Sequence, residues 1–166
     1  QNTPGGPGTN VVDFVTIATT GDATDFGDAT GTHGFKTAGH SNGHGGLPLG
    51  EFQRPSATYM PGSGRAVMLG GENPSGLTGT IDLVFISTLG NAFAFGNLSV
   101  TRNNSGSSGS ITRAITACGN APGYSDVIDS IELASQGNAA DFGNLQAGRR
   151  TSGVTASTTR LVYGGG

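Results

Sequence analysis

The chain has 166 residues, 31 of them glycine, with charged residues at 11% and a formal net charge of −3. So small a charge provides no field for capturing nucleic acid, and no apolar run approaches the length of a membrane span. Charge is too sparse for a disordered tail and helix formers are few, so one all-β domain is expected over residues 1–166.

In chain order, the first element is Val11–Ala29, reading VVDFVTIATTGDATDFGDA. Within Asp13-Phe14-Val15-Thr16-Ile17 one parity holds Val15 and Ile17, the pattern of a half-buried strand. Gly21-Asp22 then makes a turn, and a second short strand carries Phe26-Gly27. Residues 33–50 follow, with His33, His40 and His44 set among glycines. In residues 54–71, Arg54 and Arg65 stand eleven apart and Arg65 opens the apolar stretch Ala66-Val67-Met68-Leu69. Thr80–Leu98 repeats the first element, placing Asp82 on Asp13, Gly90 on Gly21 and Phe95 on Phe26. Residues 102–119 repeat the arginine spacing at Arg102 and Arg113, residues 127–145 repeat the Asp element at Asp129, and residues 149–166 repeat the arginine element at Arg149 and Arg160.

The repeat is the main signal. Asp82 and Asp129 lie 47 residues apart, whereas Asp13 and Asp82 lie 69 apart, so an Asp-type half-unit is skipped near residues 46–52. Four short antiparallel strands in about 47 residues is the size of a propeller blade. The expectation is a propeller-like repeat protein of about four units, one truncated, with a β-repeat fibre or sandwich as the alternative. Gln1 in place of a starting Met reads as a processed product or a fragment. The phase of the two ends would rebuild one full unit, either within the chain or between neighbouring chains.

The residues that carry chemistry read mainly as structure. Six of the seven arginines keep the repeat phase, so Arg54, Arg65, Arg102, Arg113, Arg149 and Arg160 are either register partners for Asp13, Asp82 and Asp129 or a row that binds glycan or carboxylate; the structural role is favoured. His33 and His44 stand at arginine positions, and the glycines around His40 and His44 argue against the helix that would bring them onto one metal. No metal site is expected there. Asp22, Asp25 and Asp28 lack the alternating ligands of a calcium loop and read as turn residues. Cys118 follows an apolar run and reads as a small buried residue. No nucleophile elbow, nucleotide loop or paired catalytic carboxylate is present, so neither an enzyme nor a cofactor is expected.

An Ile-Asp strand, Gly-Asn-Ala, Asp-Phe-Gly-Asn-Leu and a following Arg segment, as in Ile128–Arg149, resemble the tandem repeats of virion structural and tail-fibre-like proteins of marine cyanophages. They also resemble, more loosely, Kelch-type propeller repeats, whose double glycine is matched at Gly70-Gly71 and Gly164-Gly165 and whose tryptophan is not. The resemblance implies a virion or extracellular location, display on a particle or fibre, and copies of itself or other virion proteins as partners. It implies no catalytic residue. The alternative is a propeller-type lectin or adhesin that binds surface glycans.

Overall fold

The structure is a computed structural model that describes residues 8–33, 38–41, 64–150, 153–157 and 159–166. Every regular element among them is a strand. Sheet I pairs β1 (Thr9–Phe14) with β2 (Thr24–His33). Sheet II is a four-stranded antiparallel meander of β3 (Ala38–Ser41), β4 (Arg65–Asn73), β5 (Gly76–Phe85) and β6 (Phe93–Asn97). Sheet III repeats that meander with β7 (Gly106–Gly109), β8 (Arg113–Ala117), β9 (Val127–Glu132) and β10 (Ala140–Asn144). Sheet IV pairs β11 (Gly153–Ala156) with β12 (Leu161–Gly164).

The repeat maps onto the sheets directly. Asp13, Asp82 and Asp129 lie on β1, β5 and β9, and the Phe-Gly pairs lie on β2, β6 and β10. Sheet I is therefore the second half of a four-stranded unit and sheet IV the first half. The expected truncated unit falls mainly on residues outside those described; among the described residues, Ala38–Ser41 is the first strand of sheet II and pairs with β4 at Leu69 through Ala66. The described strands do not close into a ring: β1 pairs with β2, β12 pairs with β11, and neither pairs with the other.

The sheets stack in chain order, β2 against β4 and β6, β3 against β7 and β8, and β11 and β12 against β7. Adjacent first strands lie side by side, β3 with β7 and β7 with β11. Their sequences, AGHS, GSSG and GVTA, are rich in small residues, which lets the backbones approach. The buried apolar cluster sits between sheets II and III. Val67, Leu69, Ile81, Leu83 and Phe95 from sheet II meet Ala114, Ile131 and Leu133 around sheet III. An Asp strand inside the stack, β5 or β9, thus faces two ways. Its Asp, and the residues two and four further on, look toward the preceding sheet, while the alternate residues look toward the following one.

Candidate functional site

The sites that recur in this molecule are the joints between successive sheets. At the joint of sheets I and II, the turn before β6 closes on the outer edge of β2. Gly90 N donates to the Phe26 carbonyl at 2.9 Å, Ala92 N donates to the Asp28 carbonyl at 2.7 Å, and Asp28 N donates to Asn91 Oδ1 at 3.1 Å. The joint of sheets II and III repeats all three bonds. Gly137 N donates to Phe95 O at 3.1 Å, Ala139 N to Asn97 O at 2.9 Å, and Asn97 N to Asn138 Oδ1 at 3.0 Å. A strand edge that would otherwise offer unpaired backbone groups is capped by main chain. Glycine is required at the contact: a Cβ built on Gly96 would run into the Gly137 carbonyl, and one on Gly27 into the Gly90 carbonyl.

The repeat aspartates complete the joints. Asp82 accepts from Thr30 N at 3.0 Å and from the Thr30 hydroxyl at 2.5 Å. Asp129 accepts from Ser99 N at 3.2 Å and from Arg102 Nη2 at 2.5 Å, with both members of the ion pair fully buried. Arg102 is held by its backbone to sheet II, where its carbonyl accepts from Gly71 N at 2.9 Å, and its other terminal nitrogen donates to the Val127 carbonyl at 2.7 Å. Burial pulls its pKa below the ordinary guanidinium value, and the Asp129 carboxylate opposes that pull.

The Asp–Arg pairing expected from sequence is thus present at Asp129, in a different setting. It joins a connector anchored on one sheet to a strand of the next, and it is buried. The remaining arginines do not share one face. Arg65 donates to the Leu133 carbonyl across the sheet II–III joint and lies over the Phe85 ring. Arg113 pairs with Glu132 at the surface, its Nε 2.6 Å from the carboxylate. Arg149 is held like Arg102, its carbonyl accepting from Gly119 N at 2.8 Å, but its side chain reaches only the Gly165 carbonyl at 3.4 Å. Arg160 is exposed, as is Asp13. Arg54 and His44 lie outside the described residues. His33 ends β2, His40 Nε2 stands 3.2 Å from the Ser110 carbonyl, and the described residues contain no cluster of metal-ligating side chains. Cys118 is buried, as expected.

Sequence reading missed Thr30, Ser99, Asn91 and Asn138 as joint residues. The Asn pair carried a usable signal, since Asn or Asp recurs at one phase beside each turn glycine.

A cleft of about 520 Å³ opens between sheets III and IV, with Arg113, Phe142, Arg160 and Tyr163 on its walls. Tyr163 donates from its hydroxyl to the Gly106 carbonyl at 3.3 Å, and burial, helped by the neighbouring Cys118, raises its pKa. No protein-family model matches the sequence, and no curated protein is found to be similar to it.

Proposed function

We propose that the protein is a non-enzymatic structural component of a virion appendage or another extracellular assembly, used for surface display and attachment. One observation carries the reading. Of the charged residues that recur with the repeat, Arg65, Asp82, Arg102 and Asp129 serve as joints, and the Arg102–Asp129 pair is sealed between sheets with no accessible surface. A catalytic or binding charge needs access to its ligand. A charge buried at a repeat joint fixes how one sheet sits on the next. The four-stranded meanders, set with their small first strands together, favour a propeller-like arrangement of blades.

Gold-labelled antibody on native particles tests this. Label is expected at regular positions on an appendage or fibre; protein recovered only from the soluble fraction of lysed cells would sink the reading. The cleft between sheets III and IV favours a second reading, a lectin for acidic glycans, because two guanidinium groups and two aromatic rings border it. A glycan array at physiological salt distinguishes them: saturable binding abolished by Arg160→Ala supports the lectin.

A further inference from the structure

The outer faces of sheets I and III–IV are each an incomplete version of the internal joint. Phe26 and Phe95 are 8% and 4% exposed beneath the turn of the next sheet, whereas Phe142 is 58% exposed. The backbone at Phe142 and Asn144 receives no such turn among the described residues, and the space above Gly143 is open. On the other side, Ile131 and Leu133 are sealed against sheet II, while their repeat equivalents Val15 and Ile17 are 59% and 99% exposed. Asp13, equivalent to the buried Asp129, is exposed beside them.

The cleft gives these two faces a common explanation. Its wall includes Arg113, Ile115, Ile128 and Phe142, which occupy the repeat positions of Arg65, Val67, Ile81 and Phe95 on sheet II. There the last three pack against Ile131 and Leu133, and Arg65 donates to the Leu133 carbonyl. The opposite wall includes Leu161 and Tyr163 of β12, the equivalents of Ala114 and Thr116 on β8. In sheet III the strand beside β8 is β9, the Asp strand. Among the described residues, no Asp strand lies beside β12 in sheet IV.

We propose that β1 and β2 of a second copy of this chain complete sheet IV, with β1 antiparallel beside β12. Val15 and Ile17 of that copy fill the cleft, its Asp13 meets Arg149, and its Gly21-Asp22-Ala23 turn caps Phe142 and Asn144. The register follows from β8–β9, where Ala114 faces Ile131, Ile115 faces Ser130 and Thr116 faces Asp129. Leu161 then faces Val15, Val162 faces Phe14 and Tyr163 faces Asp13. The charges agree with this occupant: Arg149 has the backbone anchorage of Arg102, and Asp13 stands where Asp129 receives it. The proposal rests on the structural reading of the repeat, and it specifies the partner.

Sedimentation of the whole chain over a range of concentrations is the test. Self-association is expected, weakened on the order of a hundredfold by Arg149→Glu and by Asp13→Arg. The double variant Asp13→Arg/Arg149→Glu, which reverses the pair, is expected to recover most of it. Asp13 is exposed and Arg149 is half-buried with one long hydrogen bond to the Gly165 carbonyl, so each single variant should nearly keep the melting profile of the dilute parent. Oxidation of Phe14→Cys/Val162→Cys should give a disulfide between chains, and Ile17→Cys/Val162→Cys, out of register, should not; the native Cys118 is buried. A chain that is monomeric at every concentration overturns the proposal, as does a 14–162 disulfide formed within one chain, or association indifferent to both charge reversals. A monomer that still labels native particles would sink this junction and leave the structural role standing. A self-associating chain absent from particles would do the reverse.

Discussion

A buried guanidinium stripped of its carboxylate is a worse neighbour than an apolar side chain of the same size, and Arg102 and Asp129 make that difference measurable. Both are fully buried, so Asp129→Ala should cost about 3–5 kcal/mol in urea denaturation. Arg102→Met/Asp129→Leu together should recover most of that loss, because no uncompensated charge remains. Strict additivity of the two single changes would show that the pair does not act as a unit. The half-exposed Arg113–Glu132 pair should contribute less than about 1 kcal/mol in the same assay. Tyr163 gives a residue-scale pH dependence. Its pKa is raised in the fold by burial first and by Cys118 second, with Arg102 opposing. Above about pH 10 the unfolded chain loses this proton while the folded chain keeps it, so stability is intact below that pH and falls as pH rises. Tyr163→Phe should flatten the fall; an unchanged alkaline slope would assign it elsewhere.

At the scale of elements, equivalent positions with different surroundings should respond differently to the same change. Phe95→Ala should cost about 3–5 kcal/mol, since Phe95 lies in the sheet II–III cluster. Phe142→Ala should cost little at concentrations that keep the chain monomeric. Gly96→Ala should cost about 1–3 kcal/mol, because its methyl group meets the Gly137 backbone and the two sheets must part. Gly21→Ala, with open space around it, is the matched control, and equal losses would show that the turn-to-edge contact is not close in solution. The strands themselves were legible because their alternation is strong in copies such as Val127–Glu132. The first strand of sheet II was not. Ala38-Gly39-His40-Ser41 has no apolar alternation, and its place is set by pairing with β4, a tertiary contact. The buried role of Asp129 was equally hidden, since a charge in a strand normally marks the solvent face.

For the whole molecule, the repeat period indicated how many strands form a unit but not how units sit on one another, because that depends on backbone contacts such as Gly137 on Phe95. The described strands amount to three four-stranded units, one of them divided between sheets I and IV. Two chains joined at both junctions would carry six such units, within the roughly 4–8 blades at which propellers close. Mass photometry is expected to show a dominant species at twice the 16.5 kDa of one chain; a ladder of rising masses would show that the rotation at each joint leaves the assembly open.

The contact of each turn with the preceding strand edge is made almost entirely of main chain, and this bears on how the protein can diversify. Gly90, Ala92, Phe26 and Asp28 meet through amides and carbonyls, so this clasp constrains glycine and one amide side chain, and the buried Asp, Arg and apolar residues between the sheets are the joint's other fixed positions. Outward positions are already free to differ between copies. Thr16, Phe85 and Glu132 are equivalent and exposed, as are Thr24, Phe93 and Ala140. Mutation can therefore rewrite the outer surface of each sheet without altering the assembly that carries it. A family built this way would keep its architecture while its exteriors drift apart under selection by whatever they touch.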